Sequence, residues 1–297
     1  MKHKVNLERI KADIRSLSKI GRSEADNGIY RMAFTDADMA GKRWLSDRMK
    51  AASLSPKIDG ALNVSTVLEG SGGGPVLIVG SHIDTVPAAG ALDGALGVIV
   101  GLECLRCFKE NDVHPKRSIE LIAFSDEEGR FGGMFGSQSF AGQVNPESIA
   151  TMKDLDGVLL PDEFQRHGHD AMAALDAARP PEPVAGYLEL HIEQGPVLDR
   201  GNLSVGIGDE ITGLFTWSVT LRGEANHAGT TPMEMRNDAF MGLAEFASEL
   251  SRILEENGSE RSRATIGKAQ ILPGAANTVP GIDEFSLDVR DACEATL

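Results

Sequence analysis

Near the start of the chain, apolar residues recur at helical spacing: Leu7, Ile10, Ile14 and Leu17 fall on one side of a helix. A second helix is expected to begin near Thr35, where Thr35 and Asp38 have the spacing of a capping box; Leu45, Met49 and Ala52 make its apolar side. The pattern then tightens. Residues 75–80 (PVLIVG) form a short continuous apolar run, as in a strand buried on both faces. Residues 97–110 return to helical spacing with Val98, Leu102 and Leu105 aligned, and 118–125 (SIELIAFS) read as another buried strand. Residues 187–193 (YLELHIE) are a third strand candidate. Strand–helix–strand order predicts an α/β fold whose mixed sheet is mostly parallel and flanked by helices.

The texture changes after about residue 212. Residues 215–221 (FTWSVTL) alternate like a half-exposed strand, and 238–256 form an amphipathic helix carrying Phe240, Leu243, Ala247, Leu250 and Leu254 on one side. Two further strands are expected over 264–272 and 284–289. This β-α-β-β order opens a split βαβ sandwich, so a smaller α+β, ferredoxin-like domain over 213–297 is expected after a larger one over 1–212. Residues 176–184, with Pro180, Pro181 and Pro183, read as a connecting loop.

Composition narrows the function. A chain of 297 residues with 41% hydrophobic and 25% charged residues is globular. Its net charge of −15 argues against nucleic acid and anionic membranes as partners. No apolar run approaches the roughly 18 residues of a membrane-spanning helix. The first 17 residues lack the apolar core of a secretory signal, and three cysteines make no disulfide framework, so a cytoplasmic setting is expected. Cys104 and Cys107 form a lone Cys-x-x-Cys inside a predicted helix and read as core. The glycine run at 70–74 precedes a strand and lacks the Lys-Ser/Thr of a phosphate loop. With no dinucleotide fingerprint and no Gly-x-Ser-x-Gly elbow, neither an organic cofactor nor a serine nucleophile is expected.

Three segments carry metal-type ligands. In GSHIDTVP (80–87), His82 lies at the carboxyl end of a predicted strand, where open α/β sheets place their sites. Asp84 is placed to accept from its other imidazole nitrogen. Asp93 follows, between small residues that allow close approach. In SDEEGRF (125–131), one glutamate of the pair 127/128 can bind metal while its neighbour acts as general base. In YLELHIEQG (187–195), His191 interrupts an apolar strand. Polar turns and a satisfied core histidine are the plain alternatives for each segment alone. Together, His82, Asp93, one of the glutamates and His191 make a nitrogen/oxygen donor set suited to zinc, manganese, cobalt or nickel. Beyond them, His227 in NHAGTTPM (226–233) suits a developing oxyanion, and Arg290 and Asn277 suit a carboxylate.

In this order, GSHIDTVP with ALDGALGV, SDEEGRF, YLELHIEQGP, GEANHAGTTPM and ANTVPGIDEFSLDVRD resemble the hydantoinase/carbamoylase amidases of the dinuclear-metal aminoacylase and aminopeptidase superfamily. That group includes N-carbamoyl-L-amino-acid hydrolases, β-ureidopropionases and allantoate amidohydrolases. The resemblance implies that His82, Asp93, Glu128 and His191 are ligands of two divalent metal ions, with Asp93 bridging, and that Glu127 is the general base. It places Gln194, His227, Asn277 and Arg290 at substrate-binding positions. The implied reaction is metal-assisted hydrolysis of a ureido C–N bond in a homodimer, the small domain serving as lid and dimerisation surface. His227 is implied to reach the site from the partner subunit and to stabilise the oxyanion.

Two departures accompany the resemblance. Asp126 stands where many relatives carry Asn. Relatives also continue past the position of Leu297 and add one more ligand histidine in a Gly-His-Asp-Ala motif, which implies a truncated chain lacking one ligand and of little activity. The GHDA at 168–171 falls in the wrong place, on an expected surface helix, so His169 reads as a decoy beside His167. The leading expectation is a hydrolase of N-carbamoyl-L-amino acids, with allantoate amidohydrolase second and a dipeptidase or aminoacylase third. A non-catalytic binding or dimerisation fragment is the alternative of a different class; metal content and ammonia release separate it from the enzymes.

Overall fold

Asn6 opens the first helix, α1 (Leu7–Leu17), by accepting the Arg9 amide on its side chain. The computed structural model describes residues 4–293 and 295–296. The chain divides into two units, one ending at Pro196 and one beginning at Val197, ahead of the change in texture near 212.

In the first unit the elements after α1 are α2 (Asp36–Ala51), β1 (Lys57–Ile58), β2 (Val64–Leu68), β3 (Val76–His82), α3 (Ala95–Glu110) and β4 (Ile119–Phe124). They are followed by α4 (Phe135–Phe140), α5 (Pro146–Thr151), α6 (Leu160–Arg166), a 3-10 helix (Ala171–Ala177) and β5 (Val184–Leu188). The sheet order is β1-β2-β4-β3-β5. β3 runs parallel to both β4 and β5, whereas β2 is antiparallel to β4 and to β1. Helix α3 is the crossover that a parallel β3–β4 pair requires.

The helical spacings correspond to real burial. Ile10 and Leu17 of α1, Leu45 and Met49 of α2, and Val98, Leu102 and Leu105 of α3 join one core with Val64, Leu121 and Ala123 of the sheet. Thr35 caps α2 by accepting the Asp38 amide, but the reciprocal half of the capping box is absent. The Asp38 carboxylate instead accepts from the Phe34 amide at 2.8 Å, because it also pairs with buried Lys42 at 3.2 Å.

A second core surrounds Phe34, Phe131, Phe135 and Phe164 and holds α4, α5, α6 and the 3-10 helix together. Sequence periodicity did not reveal these helices, since none exceeds seven residues and two turns carry too little pattern.

The third strand differs from expectation. β5 covers Val184–Leu188, and His191 follows the strand instead of interrupting it. β5 pairs with β3 only as far as Val79↔Leu188. Beyond that, the Ser81 hydroxyl donates to the Glu189 carboxylate at 2.5 Å, and the Leu190 carbonyl lies over Gly97, so the chain leaves the sheet edge toward α3.

The second unit comprises α7 (Val197–Arg200), β6 (Gly213–Arg222), β7 (Asn226–His227), α8 (Ala239–Asn257), β8 (Arg263–Leu272), β9 (Thr278–Val279) and β10 (Ile282–Asp291). β10 lies between β6 and β8 and is antiparallel to both, which makes β6 and β8 mutually parallel with α8 as crossover. This is the expected split βαβ arrangement. Leu243 of α8 packs on Phe285 and Leu287 of β10. Among the described residues, no helix is long and apolar enough to cross a membrane.

Candidate active site

Parallel register brings the first two candidate segments together. His82, the last residue of β3, pairs with Phe124, the last residue of β4, so residues 83–87 and 125–131 emerge at one edge of the sheet. His82 is buried, and its Nδ1 lies 3.1 Å from the Asp84 backbone carbonyl. The Asp84 carboxylate is 3.7 Å from the same nitrogen. The orienting partner expected at Asp84 is therefore its main chain more than its side chain. With Nδ1–H donating there, Nε2 presents its lone pair away from the strand. Glu127 Oε2 stands 3.5 Å from Nε2.

Asp93 reaches the site from the turn before α3. A Cβ on Gly94 would lie 2.4 Å from the His82 ring, and a Cβ on Gly97 would lie 2.4 Å from the Leu190 carbonyl. The missing side chains let the imidazole and the 189–194 segment close on the start of α3. His191 thereby meets Asp93, with Nε2 at 3.1 Å from Oδ1 and Nδ1 held at 2.8 Å from the Ile192 carbonyl. Gln194 donates its amide to the other Asp93 oxygen at 2.7 Å. Gln194 and Asp126 both hold left-handed backbones, with φ of 50° and 54°, a strain that recurs at functional sites.

His82, Asp93 and His191 each offer a donor atom, and these atoms lie within 4.8 Å of one another. Glu128 is not part of this trio. Its amide donates to Asp84 Oδ2 at 3.2 Å, while its Oε1 is buried without a hydrogen-bond partner. Burial raises the Glu128 and Asp84 carboxyls, and for Glu128 the neighbouring Asp93 and Glu127 add to the rise. Burial lowers His82, but Asp84, Glu127 and Glu128 outweigh it and its pKa is raised. Two imidazoles, crowded carboxylates and an orphaned buried oxygen fit a divalent cation.

In the second unit, the β7–β9 ladder pairs His227 with Thr278, beside Asn277. The Gly229 amide donates to His227 Nδ1 at 3.1 Å, leaving Nε2 as the N–H donor. Arg290, near the end of β10, is bound to Asp288 at 2.8 Å. His169 is exposed between α6 and the 3-10 helix, where Asp170 caps that helix. Among the described residues it joins no metal-type cluster. Cys104, Cys107 and Cys293 are unpaired.

Known proteins are related to this chain over most of its length. Residues 63–187 match Peptidase family M28, and residues 210–297 match the Peptidase dimerisation domain. The N-carbamoyl-L-amino acid amidohydrolase of Geobacillus stearothermophilus is 36% identical over 288 residues, covering 96% of this chain and 69% of that protein. The chain belongs to the hydantoinase/carbamoylase amidase family. An allantoate amidohydrolase of Bacillus subtilis is 34% identical, over 92% of this chain and 66% of that protein. The crystal structure of a hydantoinase/carbamoylase family amidase from Burkholderia multivorans superposes with a TM-score of 0.85 at 32% identity, covering 99% of this chain and 71% of that one.

In this family member two buried cations behind the site escaped the sequence reading. Arg31 and Lys42 are 1% and 2% exposed. Lys42 had a signal: it precedes Leu45 and Met49 at helical spacing, so it sits on the apolar side of α2, where a charge needs partners. It finds Asp38 and the Ser125 hydroxyl, the latter at 2.8 Å. Arg31 left no periodic trace.

Proposed function

We propose that this amidase hydrolyses the ureido C–N bond of N-carbamoyl-L-amino acids, consuming one water and releasing the amino acid, ammonia and carbon dioxide. The convergence of His82, Asp93 and His191, with Glu127 against His82, carries this reading. Three N-carbamoyl relatives are 35–36% identical to the chain and the allantoate enzyme 34%, so the choice between the two substrates falls to the assay below.

In this proposal His82, Asp93, His191 and Glu128 are the residues that would hold two divalent ions, zinc, manganese, cobalt or nickel. Such ions, when bound, polarise the ureido carbonyl and make water acidic enough to attack near neutral pH. Glu127 takes the proton of the attacking water and returns it to the departing nitrogen. Asp84 and the Ile192 carbonyl keep the two imidazoles in the tautomers that leave Nε2 available. Gln194, which donates to Asp93, is assigned to substrate binding as well. His227, with its proton on Nε2, is suited to donate to the developing oxyanion. Arg290 and Asn277 bind the substrate carboxylate, Arg290 exchanging Asp288 for it. Residues 210–297 serve as lid and homodimer surface, in keeping with the dimerisation domain they match. Unpaired thiols favour a reducing, cytoplasmic setting.

The test is ammonia release after loading with manganese, cobalt or zinc, comparing N-carbamoyl-L-amino acids, allantoate and ureidoglycolate, with metal content measured in parallel. The proposal expects bound divalent metal and a higher kcat/KM for an N-carbamoyl-L-amino acid. Preference for allantoate would reassign the substrate; absence of both metal and turnover would refute the enzyme.

A further inference from the structure

We propose that Arg31 is a positioning residue for the metal-type cluster and that it acts through Asp84. The inference rests on reading His82, Asp93 and His191 as metal ligands. Arg31 is buried, yet among the described residues no carboxylate lies within ion-pair distance; its guanidinium is spent on backbone carbonyls. Nη1 donates to the carbonyl of Leu17, the last residue of α1, at 3.2 Å and to that of Ile20 in the turn after it at 3.0 Å. Nε donates to the Ile83 carbonyl at 2.6 Å.

The main chain of Arg31 completes a clasp. Its amide donates to Thr85 Oγ1 at 3.0 Å, and its carbonyl accepts from the Thr85 amide at 3.1 Å. Arg31 therefore grips the residue on each side of Asp84. Asp84 in turn orients both neighbours: its carbonyl takes His82 Nδ1, and its carboxylate takes the Glu128 amide at 3.2 Å. The Arg31 side chain thus ties the end of α1 and the turn after it to Ile83, and its main chain holds Thr85, so the residue between them, which contacts both His82 and Glu128, is fixed on each side. A cation buried without an ion-pair partner is costly, and capping α1 alone does not account for the bond to Ile83.

The experiment titrates manganese or zinc into the metal-free 297-residue chain by calorimetry, for wild type, Arg31→Met and Arg31→Lys. Metal affinity is expected to fall about 10–100-fold in Arg31→Met, and to recover in part in Arg31→Lys, which keeps one charged donor for the Ile83 carbonyl. Ile10→Ala, a core cavity in α1, is the comparison; it removes none of the Arg31 hydrogen bonds, and it is expected to lower the melting temperature while leaving affinity within about twofold. Should Arg31→Met not fold, Thr85→Val removes the Oγ1 contact on the far side of Asp84, with an expected loss of about 5–10-fold. Wild-type affinity in Arg31→Met or Thr85→Val overturns the proposal. Wild-type protein that binds no ion overturns the metal reading itself, a result distinct from intact binding in the variants.

Discussion

His191 Nε2 lies 3.1 Å from Asp93 Oδ1, although one residue follows an edge strand and the other precedes a helix. The contact depends on the main chain of 189–194 coming down on the first turn of α3. Gly97 makes that possible, because any Cβ there would fall 2.4 Å from the Leu190 carbonyl and 2.9 Å from Ser81 Cβ.

Gly97→Ala is therefore expected to push the His191 segment away from Asp93. Overpacking of this kind costs about 1–3 kcal/mol in stability. Metal affinity should fall at least about tenfold, as for other losses of ligand support. Urea melts and metal titration check both effects; unchanged affinity would show that the segment adjusts elsewhere.

Glu127→Gln keeps the shape of the side chain and removes its basicity. Turnover is expected to drop by about 10²–10⁴ with bound metal retained. Steady-state ammonia release alongside elemental analysis distinguishes this from loss of a ligand, in which metal content would fall as well.

Arg290 is tied to Asp288 by bonds of 2.8 and 3.3 Å. Arg290→Ala should raise KM for substrates with a free carboxylate, by about 1.5–3 kcal/mol of lost charge-assisted bonding. Neutral amide analogues should be far less affected. Asp288→Ala should act in the opposite direction, since it frees the guanidinium. Equal KM changes for acid and amide substrates would take Arg290 out of carboxylate recognition.

Burial, with a smaller push from Asp84, raises the Asp126 carboxyl to about 7 in the metal-free protein. The unfolded chain releases this proton near pH ~4, so the folded state holds it over a range where the unfolded state does not. This contribution to stability is complete below the unfolded value and is lost as pH rises to about 7. Asp126→Asn should thus leave stability unchanged near pH 4 and raise it by roughly 1–3 kcal/mol at pH 8. Urea melts of metal-free protein at the two pH values decide the matter; an equal gain at both would indicate a cause other than ionisation.

Several features were legible in the residues alone. Leu45, Met49, Val98, Leu102 and Leu105 sit at spacings that only a half-buried helix requires, and all are buried. The apolar runs before His82 and Ser125 had to be interior strands, which set the polar residues after them at a sheet end. Side-chain periodicity is a local property, and local burial writes it directly into the chain. Tertiary structure decided the rest. β5 stops at Leu188 because the Leu190 carbonyl is drawn to Gly97, and no periodicity records a contact between segments so far apart. Arg31 shows the same limit: its value lies in three carbonyls and a threonine gathered from the end of α1, the turn after it and the loop after β3. A lone arginine in sequence carries no sign of them. Composition and spacing determined which residue types were present and which faces were apolar; the parallel register of β3 on β4 and the close approach at Gly94 and Gly97 determined which of them meet.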